Sequence, residues 1–206
     1  MKKLVNEMLR LHFFQNEPLL AYSLELIEEK ATELFRLHKK YDVDFYFPVK
    51  SFPHQTILEL LSTKLQGFDI SNTQEWDMVK EFNPEIICTD PTGSCFQGLI
   101  STEWAAPPEQ DFLIRLNSNE LLNSSNKSRF GISPFEREQL LTLVQMPRFR
   151  GFHVHHGSEV NNHETYLRLA GEILSLSDSL GVTPPLIDLG GGLHGVEDLE
   201  QLLHDL

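Results

Sequence analysis

The sequence predicts an α/β protein built as an incomplete or shortened TIM-type (β/α) barrel of about six to seven parallel strands, and three observations lead there. Short apolar runs alternate with amphipathic helical stretches, as parallel βα units with helices outside a buried sheet require. An amine, Lys50, ends the apolar run 43–49 and is followed at once by Ser51-Phe52-Pro53-His54, so it sits where a buried strand opens into a loop. Residues at the carboxyl ends of barrel strands line a shared mouth, where such folds place their chemistry. The third observation is length: a full eight-unit barrel needs about 250 residues, whereas these 206 residues supply six clear strands.

The first helix is expected over 23–39, with Leu24, Ile27, Ala31, Leu34, Phe35 and His38 on one side and Glu25, Glu28, Glu29 and Lys30 on the other. Strands are expected at 43–49, 67–71, 85–89, 111–117, 149–156 and 184–189, and helices at 54–64, 73–81, 134–145, 162–180 and 195–205. Pro53 and Pro134 suit a first helical turn, where the missing N–H has no partner to lose. Asn72 or Thr73 can cap the helix that carries Glu75, Gly181 closes the long helix, and Pro184-Pro185 prevent its continuation. The stretch 117–128 reads as a polar loop near the mouth. Between Thr89 and Phe112 there is too little chain for another full unit of roughly 30 residues, and at most one short strand fits around Leu99 to Ser101.

One domain, 1–206, is expected from 40% hydrophobic and 23% charged residues. A net charge of −13 with no basic stripe argues against nucleic acid, since phosphate recognition needs clustered Lys and Arg. The basic start Met1-Lys2-Lys3 is broken by Glu7 and Arg10 before an apolar signal segment forms, and no run approaches the ~20 apolar residues of a membrane span, so a cytoplasmic protein is expected. Cys88 and Cys95 suggest neither zinc nor a disulfide framework, but two reduced cysteines packed near a strand end.

Chemistry concentrates in four segments: Phe47-Pro48-Val49-Lys50, Gly67-Phe68-Asp69-Ile70-Ser71, Phe152-His153-Val154-His155-His156-Gly157-Ser158, and Leu186-Ile187-Asp188-Leu189-Gly190-Gly191-Gly192. A lysine at a strand end is often a solvated charge, yet it can form a Schiff base when its neighbours lower its proton affinity. His153 and His155 point to one side of a strand, with His156 turned away. Side-chain-free backbone at Gly190-Gly191-Gly192, followed by a helix end, allows close approach of an anion.

In order and approximate spacing these segments resemble the barrel domain of the fold-type III pyridoxal-phosphate decarboxylases, the ornithine/diaminopimelate/arginine group, from about Pro18 onward. The resemblance implies an alanine racemase-like N-terminal barrel domain, pyridoxal 5'-phosphate as cofactor, and removal of the α-carboxylate of a basic or diamino acid. It implies Lys50 as the Schiff-base lysine, His155 as the residue stacked on the pyridine ring, Ser158 at the phosphate, Asp69 near the cofactor, and the three glycines at its phosphate. His153 is expected to be structural. Arg115, in Ile114-Arg115-Leu116, and the stretch Ser128-Arg129-Phe130-Gly131 also look like family positions, Arg115 being within reach of the cofactor or equally a salt-bridged barrel arginine. The family's Glu-Pro-Gly-Arg segment, its eighth strand and its second domain would follow Leu206, so a homodimer or a partner subunit that supplies the missing part is expected, along with apolar surface near 90–110. Two other readings stay open. One is a catalytically inactive pyridoxal-phosphate-binding or regulatory protein; the other is a metal-dependent hydrolase using His153, His155 and Asp188, although its HxH pair comes late in the chain and leaves Lys50 unexplained.

Overall fold

A computed structural model of the chain describes residues 21–90, 92, 95, 97–103, 109–125, 128–157 and 162–206. The opening helix α1 (Leu24–Tyr41) begins where the Ser23 hydroxyl accepts from the Leu26 amide, and ends at Asp42 in the left-handed conformation, with Lys39 and Lys40 complementing the dipole of its last turn. Its buried stripe runs through Ala31 and Leu37. Leu24 and Phe35, expected inside, are 42% and 41% exposed, because the buried stripe is rotated towards Leu37.

Seven strands follow in one sheet, all parallel and in chain order: β1 (Tyr46–Pro48), β2 (Gly67–Ile70), β3 (Glu85–Cys88), β4 (Leu99–Thr102), β5 (Phe112–Leu116), β6 (Phe149–Val154) and β7 (Leu186–Asp188). The sheet curls into a partial barrel, as the α/β alternation predicts. The helices are α2 (Gln55–Ser62), α3 (Thr73–Val79), α4 (Ser118–Leu121), α5 (Arg137–Val144), α6 (His163–Leu180) and α7 (Leu199–Asp205). Among the described residues no helix lies between β3 and β4 or between β4 and β5, and β4 is the short strand that the spacing allowed.

Alternation along the strands divides the side chains into two sets. Phe68, Ile70, Ile86, Cys88, Ile100, Phe112, Ile114, Leu116, Phe152 and Val154 join the apolar layer under the helices. The intervening positions turn inward, and register aligns Arg115 of β5 with His153 of β6 and Asp188 of β7. At the bulge between β5 and β6, Gly151 has φ +142, and a Cβ there would lie 1.8 Å from the Leu186 carbonyl oxygen. Only a glycine lets β7 approach so closely.

Several boundaries differ from expectation for local reasons. Val49–Ser51 form a 3-10 turn after Pro48, so β1 is shorter than the apolar run. Pro53 precedes the His54 cap of α2 rather than opening its first turn, and Pro134 lies in a turn held by the Ser133 carbonyl before α5. The stretch after Asn117 is not all loop: Asn117 accepts from the Glu120 amide and caps the single turn α4. Cys88 and Cys95 are free and buried, and burial pushes the Cys88 thiol up to about 12. Among the described residues the most exposed large apolar side chains are Phe135 and Leu174, and much of the 90–110 stretch expected to carry apolar surface lies outside the described residues. No helix of the described residues is long and apolar enough to cross a membrane. The reading of Met1–Glu7 falls outside the described residues.

Candidate cofactor site at the barrel mouth

Lys50 is placed by the 3-10 turn that interrupts β1, where the Ser51 hydroxyl donates to the Pro48 carbonyl at 2.7 Å. Its Nζ donates to Ser71 Oγ at 3.0 Å and to Asp69 Oδ2 at 3.3 Å, and the side chain remains 53% exposed. The ammonium is therefore aimed across the mouth and still reachable. Asp69 is fixed in turn by the Thr89 hydroxyl at 2.7 Å. Behind Ser71, Asn72 accepts from the Glu75 amide, while the Glu75 carboxylate accepts from the Ser71 amide and the Asn72 side chain, each at 2.8 Å. This reciprocal cap holds the β2–α3 loop against α3.

On the opposite wall His153 is fully buried and shares a 2.6 Å hydrogen bond with Ser101. Burial first, and the Arg115 charge second, pull its pKa down to about 3, so the ring is neutral. His155 lies just past the end of β6 and is more open. Burial, then Arg115 and Lys50, also hold its pKa below the usual histidine value. Its Nδ1 accepts from the Gly191 amide at 3.3 Å, which leaves the ring proton on Nε2. His156 turns away to Ser118 Oγ at 3.2 Å, and that hydroxyl donates to the His155 carbonyl at 3.1 Å.

The glycine turn packs directly on this histidine. Gly190 has φ +71, and a Cβ on it would lie 2.4 Å from the Val154 carbonyl oxygen and 3.0 Å from His155 Nδ1. Asp188 accepts from the Gly190 amide at 2.8 Å, while burial pushes its carboxyl group up. Tyr166 donates to the Gly191 carbonyl at 2.8 Å. Two of the three glycine amides are thus engaged by Asp188 and His155, which leaves fewer for an anion than a cradle made of all three would offer. The expected help from a helix end is also displaced: a 3-10 turn, Leu193–Gly195, intervenes, and α7 is capped by its own Asp198.

Arg115 points into the barrel, its Nη1 2.6 Å from Glu103 Oε1 and its guanidinium 4.9 Å from the centre of the Phe130 ring. Glu103 escaped the sequence reading. The signal was a lone acid directly after the short run Leu99-Ile100-Ser101-Thr102, meaningful only once β4 is seen to lie beside β5.

The structure thus brings Lys50 and Asp69 into contact, joins His155 to Gly190 and Gly191, and sets Arg115 in line with His153 and Asp188. Ser158 lies outside the described residues. The amine, the neutral imidazole and the glycine surface suit pyridoxal phosphate: an amine for an aldehyde, a flat uncharged ring for a pyridine, a close backbone for an anionic tail. The metal reading finds no support in the geometry. His153 and His155 each have Nδ1 engaged by a protein group, and among the described residues no three His, Cys, Asp or Glu side chains gather to hold an ion.

Comparison with known proteins agrees. A family model described as "Pyridoxal-dependent decarboxylase, pyridoxal binding domain" matches residues 105–204. No curated protein matches the chain in sequence. Among solved structures, the arginine decarboxylase of Paramecium bursaria Chlorella virus, bound to agmatine, is 22% identical with a TM-score of 0.75, over 100% of this chain and 63% of that enzyme. Ornithine decarboxylase from Entamoeba histolytica gives 22% identity and a TM-score of 0.62 over 86% of this chain and 56% of its own. Alanine racemase from Corynebacterium glutamicum gives 13% and 0.59 over 80% and 53%. At these identities the likeness is one of fold, and the chain spans less than two thirds of each of these relatives. Residues 105–204 thus match the pyridoxal-binding domain of the pyridoxal-dependent decarboxylases in sequence, and the chain as a whole is similar in fold to the barrel of these enzymes.

Proposed function

We propose that the chain, acting as a single domain over 1–206, is the coenzyme-holding part of a pyridoxal-phosphate-dependent decarboxylase of basic or diamino acids, with Lys50 as the amine that takes up the coenzyme's aldehyde. The observation that carries this is convergence: an accessible amine held by Asp69 and Ser71 faces the same mouth as a neutral His155 locked to a glycine turn. When bound, the coenzyme supplies the conjugated ring that receives the electron pair left at the α-carbon as carbon dioxide departs.

The residues of the chain do the rest. Ser71 Oγ and Asp69 Oδ2 aim the Lys50 nitrogen and are the nearest acceptors for a proton leaving it. His155, uncharged, offers a stacking face that does not repel a cationic ring, and Gly190–Gly192 let the phosphate come close to backbone. Arg115 adds fixed positive charge within the same space. A basic substrate is supported by the bound agmatine, cadaverine and norspermidine in the structural relatives. A second copy or a partner subunit would complete the substrate pocket. Two buried free cysteines suit a reducing, cytoplasmic setting.

The test is to purify the protein with pyridoxal phosphate and record its absorption spectrum, alone and as Lys50→Ala. The reading expects a Schiff-base absorption band that the variant lacks; an identical spectrum from both proteins would remove Lys50 from the role. Release of carbon dioxide from lysine, ornithine or arginine then separates turnover from simple storage of the coenzyme.

A further inference from the structure

We propose that Glu103 is a positioning residue of this site, acting by holding the Arg115 guanidinium inside the barrel; the inference rests on the cofactor reading above for what Arg115 serves. Glu103 is the first residue beyond β4, and its side chain is only 5% exposed against 13% for that of Arg115. The 2.6 Å contact lies at one edge of the guanidinium and the Phe130 ring faces it at 4.9 Å, so the cation is held at two points.

Such a pair is a poor device for stability. Desolvating two charges costs about what their attraction returns, and an apolar pair of similar volume would serve folding as well or better. The neighbouring inward position on β5 shows the apolar solution in use, since Leu113 is fully buried without any charge. What the pair provides is a fixed location for one positive charge. That location matters because Arg115 stands level with His153 and Asp188, and its charge is the strongest of those acting on both histidines. Lys50, Asp69 and Asp188 are the other charged groups facing His155.

Replacing Glu103 by glutamine separates this role from a structural one by sign. Loss of a nearby carboxylate would by itself lower the affinity of His155 for a proton. Release of Arg115 from its place does the opposite. In the coenzyme-free protein, an NMR titration of His155 is therefore expected to move upward in Glu103→Gln, as in Arg115→Gln, and to move no further when both changes are combined. A downward or unchanged titration in Glu103→Gln overturns the proposal. Should that variant fail to fold, Glu103→Asp keeps the charge and shortens the arm: an upward shift supports the role, and no shift overturns it. In a second arm, pyridoxal phosphate is expected to bind about tenfold more weakly to Glu103→Gln, the scale of coupling between neighbouring charges, with no added loss in the Arg115→Gln background. Equal losses in both backgrounds refute action through Arg115. Absence of pyridoxal phosphate binding by the unaltered protein would sink the cofactor reading instead, while the coenzyme-free titration still decides on Glu103.

Discussion

The two ends of the barrel interior are built on different principles. At the carboxyl ends of the strands the inward side chains are Asp69, Glu103, Arg115, His153 and Asp188, with Lys50 above them. At the amino ends the inward positions include Leu113, Gly151 and Leu186, and the charges there pair at the rim: Arg150 grips Asp111 through Nε at 2.8 Å and Nη2 at 3.0 Å beside a cavity of about 540 Å³. Polar groups sunk into the barrel are costly unless satisfied. Their concentration at one end therefore sets that end apart from the packed remainder of the interior. The rim, by contrast, is occupied by what lets strands approach.

The comparison is broken most severely at the rim. Gly151→Ala places a methyl group against the Leu186 carbonyl, and a loss of more than about 3 kcal/mol is expected in chemical denaturation. Unchanged stability would show that β6 and β7 can part at little cost.

Next comes the pH response of the mouth. His153 has a folded pKa of about 3 against an ordinary value of 6.5, so the unfolded chain binds the extra proton between those limits. Its contribution to stability is complete above pH 6.5 and is lost as pH falls towards 3, by up to about 1.4 kcal/mol per pH unit. Burial of Asp188 acts in the opposite sense at low pH, so the comparison must be made with His153→Asn, whose denaturation profile should have the shallower acid slope. Parallel slopes would mean that His153 takes up its proton while folded.

Smaller still, Asp69→Asn should leave the melting temperature nearly unchanged and weaken pyridoxal phosphate binding roughly tenfold, because one charged contact aiming Lys50 is lost. A fall in stability without a change in binding would move Asp69 to the structural side. Least affected is the outer helix ring, where Arg36 and Lys40 of α1 reach Glu200 of α7 in the open. Glu200→Gln is expected to lower the melting temperature by a few degrees at most, as for other exposed pairs.

Much of this was legible in the chain. Alternating apolar runs located the strands, and the residues around Lys50, His155 and Gly190 marked the mouth before any geometry was known, since each belongs to a short local pattern. What stayed hidden depends on neighbours distant in sequence. Glu103 gains meaning only from the β4–β5 register, and the engagement of the Gly190 and Gly191 amides only from the approach of β7 to the end of β6. Helix starts after Pro53 and Pro134 were misplaced because a proline permits a first turn without requiring one.

Among the described residues β4 has no helix directly before or after it in the chain. It meets β3 through only Ile87↔Leu99 and Cys88↔Ile100, against a five-residue ladder between β5 and β6. Backbone amides of Ile100 to Thr102 should accordingly trade hydrogen for deuterium well before those of Phe112 to Leu116, making this staves-and-hoops wall thinnest where it carries the acid that restrains Arg115.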